Sequence, residues 1–166
     1  MIQEYKKSLL KEHKELLLKD LCARLPYGVK VHAKFIDTDT NTKVEKVGVL
    51  SMIDTDTVVA FSSDDTNCYI YVTIHEVKPY LFPLSSMTEE QKEELNRVTN
   101  EKFNSYGTYI DNCKPRNWSE WGTTEYNWIR HHDIDLLNTW LDKNHFDYRG
   151  LIEKGLAIDA TNLNIY

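Results

Sequence analysis

An α+β fold is predicted for this chain of 166 residues: an N-terminal helix, an antiparallel meander of four or five strands, and C-terminal helices. Three observations predict it. Between Gly28 and Val77, runs of alternating apolar and polar residues are separated by turns rich in Asp, Asn and Thr. Period two is the mark of a half-buried strand. Leucines recur at helical spacing before this stretch and again near the C-terminus. The connections between the strands are short, which favours antiparallel neighbours.

The first helix spans Ile2 to Leu25. Leu17, Leu18, Leu21 and Leu25 form its apolar stripe, with Lys14, Lys19 and Arg24 off it, and Leu9 and Leu10 extend the stripe one face earlier. Core packing is the expected role. The sharper alternative is that its first half protrudes and pairs with a partner helix. Pro26 ends the helix, because the residue before proline avoids the α region. Tyr27-Gly28 turns the chain into the first strand, with Val29, Val31, Ala33 and Phe35 on one face and Lys30, His32 and Lys34 on the other. Asp37 to Thr42 reads as a turn. Lys43 to Ile53 is a strand with Gly48 at a bulge or bend. Asp54 to Thr57 is a second turn, Val58 to Phe61 a short strand, and Ser62 to Asn67 a third turn. Cys68 to Val77 alternates again, with Cys68, Ile70, Val72 and Ile74 opposite Tyr69, Tyr71, Thr73 and His75. Such a sheet can curl into a small SH3-like or Sm-like barrel; the alternative is an open sheet with helices on one face.

Lys78 to Leu84 carries Pro79 and Pro83 and is expected to be an extended, packed connector. Thr88-Glu89-Glu90-Gln91 is a capping box. The helix behind it runs to about Phe103, with Leu95, Val98 and Phe103 inward. Residues 104–130 form an irregular, aromatic-rich insert within a single domain whose sheet core is 28–77. Asp133 is placed to cap a further helix with Leu136, Leu137, Trp140 and Leu141 inward, closed by Asn144 in the left-handed conformation. Asp147 then caps a short helix with Phe146 and Leu151 as a staple, ended by Gly155. Leu156 to Ile158 return as a short strand, and Ala160 to Tyr166 are expected to fray.

The bulk numbers suit one globular domain: 41% hydrophobic and 28% charged residues, with a net charge of −6. The negative balance argues against broad nucleic-acid binding, which needs Lys and Arg to neutralise phosphates, though not against a local basic patch. No apolar run approaches a membrane span, and Met1 to Lys14 is charged with no signal-peptide core. A cytoplasmic location without membrane attachment is the expectation. Cys22, Cys68 and Cys113 are far apart and odd in number, so a disulfide framework or paired-cysteine zinc site is not expected. Cys22 and Cys68 read as buried free thiols.

Four candidate sites stand out. Trp118, Trp121, Tyr126 and Trp128, with Arg116 and Arg130 nearby, are the best binding candidate. They suit stacking on a base, a sugar ring or a partner's side chains, or else a satellite core for a long loop. His131-His132-Asp133 is the densest cluster of metal ligands, but adjacent helical residues point about 100° apart, and a third ligand must come from elsewhere, such as His145 or Cys113. Helix capping accounts for Asp133 without a metal. Asp37-x-Asp39-x-Asn41 opens like a calcium loop, yet Thr42 stands where that loop needs Gly and Gly48 where it needs Glu. His75-Glu76 sits in a strand pattern and lacks the second histidine of a zinc-protease helix. No catalytic residue, metal or cofactor is assigned.

Two segments, Lys19-Asp-Leu-Cys-Ala-Arg-Leu-Pro-Tyr-Gly-Val-Lys-Val31 and Asn144-His-Phe-Asp-Tyr-Arg-Gly-Leu-Ile-Glu-Lys-Gly-Leu-Ala157, resemble an uncharacterised family of small proteins from gut Bacteroidetes and their phages and prophages. The stretch Val77-Lys-Pro-Tyr-Leu-Phe-Pro-Leu-Ser-Ser-Met-Thr88 is similar to it too, whereas 104–130 is outside the pattern. The resemblance implies a phage or prophage setting and carries over no activity. Asp20, Arg24, Asp147 and Arg149 in these motifs read as fold determinants through caps and ion pairs. The expected function is a non-enzymatic protein-binding module whose partner is a host or phage protein. The alternatives are a binder of a small nucleotide-like ligand and a metal-dependent hydrolase using His131, His132 and Asp133.

Overall fold

One mixed sheet carries the molecule, with the N-terminal helix packed on one of its faces, in a computed structural model that describes residues 2–54, 58–63, 69–105 and 131–166. The chain opens with helix α1 (Ile2–Arg24), followed by a 3-10 turn over Leu25–Tyr27 with Pro26 inside it. Gly28 then takes a left-handed conformation (φ 66°), where a side chain would be strained. Strands β1 (Lys30–Ile36), β2 (Lys43–Ile53), β3 (Val58–Ser63) and β4 (Tyr69–Thr73) follow as the predicted antiparallel meander. The register shift lies between Leu50 and Met52, and not at Gly48.

The predicted last strand, Cys68 to Val77, is divided. Glu76 accepts hydrogen bonds from the Thr73 amide at 2.8 Å and the Thr73 hydroxyl at 2.9 Å. That cap winds Ile74–Glu76 into a 3-10 turn and redirects the chain, so His75 is not in a strand. The expected connector is instead strand β5 (Val77–Pro83), antiparallel to the other edge of β1. After helices α2 (Glu89–Ser105) and α3 (His131–Lys143), two short strands, β6 (Phe146–Asp147) and β7 (Ile158–Asp159), run parallel to β5. The strand order is β4-β3-β2-β1-β5-β6. Among the described residues no pairing joins β4 to β5, so the sheet is open and not a closed barrel. No helix among these residues is long and apolar enough to cross a membrane.

Two cores form. In the larger, Leu17 and Leu21 of α1 pack on the inner face of the sheet against Val31, Ala33, Leu50, Phe61 and Leu81. In the smaller, Leu95 of α2 meets Leu137, Trp140 and Leu141 of α3 and Phe146. Phe146 and Leu151 lie in separate cores and do not form a staple. Asp147 does cap: its carboxylate accepts from the amides of Leu151 at 2.9 Å and Ile152 at 2.8 Å. What it caps is a turn over 151–155 and not a helix. At the end of α3 the left-handed residue is His145 (φ 59°), not Asn144, whose side-chain amide donates to the Trp140 carbonyl at 2.9 Å. Cys22 is exposed on α1, because the buried stripe runs through Leu17, Leu21 and Arg24, while Cys68 lies outside the described residues.

The end of α1 and the segment after α3 meet in space. Arg24 donates to the Phe146 carbonyl at 2.7 Å, and Arg149 reaches Asp20 at 2.7 Å and Asp142 at 2.8 Å. The C-terminus does not fray. The Tyr166 hydroxyl donates to the Tyr80 carbonyl at 2.9 Å, and Ala160 is fully buried.

Candidate binding face

Alternation along the strands decides which side chains face away from α1. On β1 these are Lys30, His32, Lys34 and Ile36; on β2 they are Lys43, Glu45, Val47 and Val49 and, past the register shift, Met52. On β3 and β4 they are Ala60 with Tyr71 and Ser62 with Tyr69. The outer face has two halves of different character.

The β1–β2 half is polar. Glu45 sits 2.8 Å from Lys34 Nζ and 3.2 Å from His32 Nε2. The hydrogen bond from Lys34 holds the Glu45 carboxyl below its ordinary range. The His32 ring stands 6.2 Å from that of Tyr80, whose hydroxyl is pushed up by burial. One carboxylate therefore anchors two basic groups on a solvated sheet surface.

The β3–β4 half is apolar and aromatic. Tyr71, Ala60 and Met52 form one cross-strand row. Neighbouring strands are about 4.8 Å apart, so Tyr71 and Met52 stand about 10 Å apart across the small residue between them. Ala60 is buried, while Tyr69 and Tyr71 are 59% and 61% exposed. These are large values for aromatic side chains, which lower free energy when taken out of water.

The two tyrosines belong to the end strand of the sheet. β4 pairs with β3 on one side and with no described strand on the other. Its sequence, Tyr69-Ile70-Tyr71-Val72-Thr73, is made of strong strand formers and carries no charge and no proline. Edges that are meant to stay single are guarded by lysine, proline or a bulge. Such a strand offers main-chain donors and acceptors to another extended chain, with Tyr69 and Tyr71 exposed beside them.

The residues singled out from sequence are distributed otherwise. Arg116, Trp118, Trp121, Tyr126, Trp128 and Arg130 lie outside the described residues. His131, His132 and Asp133 fall in the first turn of α3, with side chains outside the described set. Asp37 forms a hairpin turn, accepting from the amides of Asp39 at 2.8 Å and Thr40 at 3.3 Å. The alternation of β4 was visible in the sequence, but Tyr69 and Tyr71 were not marked as a site. The available signal was a pair of tyrosines two residues apart on the solvent face of an uncharged strand. Comparison with known proteins found no matching family model, no matching curated protein and no matching solved structure.

Proposed function

We propose that this chain is a non-enzymatic protein-binding module that receives an extended segment of a partner along the edge of β4. The observation that carries this reading is an edge strand with no described neighbour beyond it and two exposed tyrosines on one face. Main-chain pairing supplies affinity in such a mode, and alternate side chains supply selectivity. The segment it fits is uncharged and rich in β-branched or aromatic residues, because β4 itself carries no counter-charge. The resemblance to a phage and prophage family supports a host or phage protein as the partner.

The test is capture from host lysate by the immobilised chain. Tyr71→Lys places a charge on the edge and is expected to abolish capture, while Leu163→Lys, at an exposed position away from β4, is expected to preserve it. Capture that survives Tyr71→Lys counts against the edge. Loss of capture on Trp121→Ala alone would move the site into 104–130.

A further inference from the structure

The segment that the β4 edge fits is uncharged and rich in β-branched or aromatic residues. β4 is such a segment itself: Tyr69-Ile70-Tyr71-Val72-Thr73 holds two aromatic and three β-branched residues and no charge. The chain therefore carries a ligand of the class that its own edge takes. A sheet edge of this composition is a template for a second copy.

Register decides whether two copies match. Directly opposite residues of an antiparallel pair lie on the same face of the sheet, and a slip of one residue exchanges the faces. A two-fold axis through Tyr71 is the register that overlaps all five residues of β4. It sets Tyr71 against its own counterpart, Tyr69 against Thr73 of the second copy, and Ile70 against Val72 of the second copy. On the outer face, Tyr69 and Tyr71 are 59% and 61% exposed, so both rings are open to contact across the axis. On the inner face, Val72 is buried and Ile70 is half-buried against the larger core. The pairing covers Ile70 further and keeps both copies of α1 on one face of a continuous sheet. Aromatic and β-branched residues set opposite each other are favourable pairs across antiparallel strands.

Size sets the strength. Stable complexes bury about 1,200–2,000 Å². One pair of five-residue strands is small beside that, so the dimer is weak and gives way to a partner that makes further contacts.

We propose that two copies of this chain pair through β4, antiparallel about Tyr71, and so close the edge until a partner segment displaces one of them. The inference rests on the reading of β4 as a strand acceptor and names the occupant of its edge when that partner is absent.

Sedimentation velocity of the full chain tests it. Monomer is expected at about 10 µM and mostly dimer at about 1 mM. Tyr71→Lys sets like charges opposite each other at the axis and is expected to weaken the dimer at least about tenfold, with Leu163→Lys unchanged. Tyr69→Glu and Thr73→Lys are each expected to weaken it. The two together in one chain are expected to restore it, because glutamate then meets lysine twice across the axis. Within one strand the two positions are about 14 Å apart, too far to pair. The main-chain amide of Thr73, which donates to Glu76 at 2.8 Å, is retained in Thr73→Lys, and circular dichroism checks that each variant is folded. Monomer at about 1 mM overturns the proposal, and capture from lysate that persists there leaves the partner reading standing. A dimer that Tyr71→Lys leaves intact overturns it too, as does failure of the double change to restore pairing. A dimer with all the expected responses, but no capture from lysate, supports the pairing and overturns the partner reading instead.

Discussion

Asp20 and Arg24 stand one helical turn apart and form a two-pronged ion pair shut off from solvent. Arg24 Nε lies 2.8 Å from Asp20 Oδ2 and Nη2 lies 3.0 Å from Oδ1, with both side chains 0% exposed. Arg149 shares Asp20 Oδ1 and is paired with Asp142, so two carboxylates face two guanidiniums. Arg24 also meets the C-terminal carbonyls of α3 at Leu141 and Asp142, where the helix dipole favours a cation. Desolvating each ion costs several kcal/mol, so the cluster is stabilising only while complete. Asp20→Ala leaves the buried Arg24 and Arg149 to share one carboxylate, Asp142, which lies 3.6 Å from Arg24 Nη2, and urea unfolding is expected to show a loss of about 3–5 kcal/mol. Glu45→Ala, which removes an exposed pair with Lys34, is expected to cost no more than about 1 kcal/mol. Similar small losses in both would show that the network does not hold α1 to α3.

His145 makes stability depend on pH. Its ring is buried and stacked on Tyr166 at 4.3 Å, and its Nδ1 has no hydrogen-bond partner among the described residues. Burial foremost, then the positive charge of Arg24, lowers its pKa from 6.5 to about 4. The folded state therefore holds this ring neutral at pH values where the unfolded chain takes up a proton. Its contribution is fully present above 6.5 and is lost as pH falls from 6.5 toward 4. Between about pH 6.5 and pH 5 the loss is about 2 kcal/mol, at 1.36 kcal/mol per unit. His145→Asn keeps a residue tolerant of the left-handed backbone and removes the titration. Urea melts at both pH values are expected to show a smaller drop for the variant by that amount.

Tyr166 ties the last residue to the middle of the sheet. Its hydroxyl accepts from the Lys30 amide at 3.1 Å while donating to the Tyr80 carbonyl, so one oxygen bridges β1 and β5 above the point where their pairing begins. Tyr166→Phe is expected to cost about 1–2 kcal/mol, because two main-chain groups lose one partner. The specific readout is hydrogen exchange at the Lys30 amide, which is expected to quicken while that of Ala33, inside the ladder, is unchanged. Unaltered exchange at Lys30 would mean that water replaces the hydroxyl at no cost.

Local chemistry was legible in the sequence, and long-range pairing was not. The capping box at the start of α2 is present bond for bond, with the Thr88 amide donating to Gln91 at 2.9 Å and the Gln91 amide to the Thr88 hydroxyl at 3.2 Å. Such a motif needs residues only three apart. β5 was hidden by Pro79 and Pro83, since proline normally keeps out of a central strand. The alternation of Val77, Pro79 and Leu81 was there, but the prolines outweighed it. Tyr166 finds Tyr80 across 86 residues, and Arg24 finds Phe146 across 122, distances at which no spacing rule applies. The candidate site depends on the same kind of information. Tyr69 and Tyr71 lie on an edge with no described neighbour because β5 crosses back to β1. A meander continued in order would have covered them.

Gly48 shows a constraint of space rather than of backbone conformation. A Cβ placed there would stand 2.7 Å from the Phe61 ring and closer still to the carbonyl oxygen of Ser62. Phe61 is fully buried and Ser62 is main chain in β3, paired one residue along β2, so neither gives way without parting the two strands. Overpacking of this kind costs about 3 kcal/mol or more when the obstacle is backbone. Gly155 is the opposite case, with no described atom within 4 Å of its absent Cβ but a φ of +68°. There alanine is opposed only by the left-handed backbone, worth about 1–2 kcal/mol. Gly48→Ala is therefore expected to lower the urea midpoint well below that of Gly155→Ala. It is also expected to speed hydrogen exchange along β2 and β3, while Gly155→Ala leaves the sheet amides protected. Equal midpoints, with β2 and β3 still protected in Gly48→Ala, would mean that the strands can separate locally at that position without loss of the ladder.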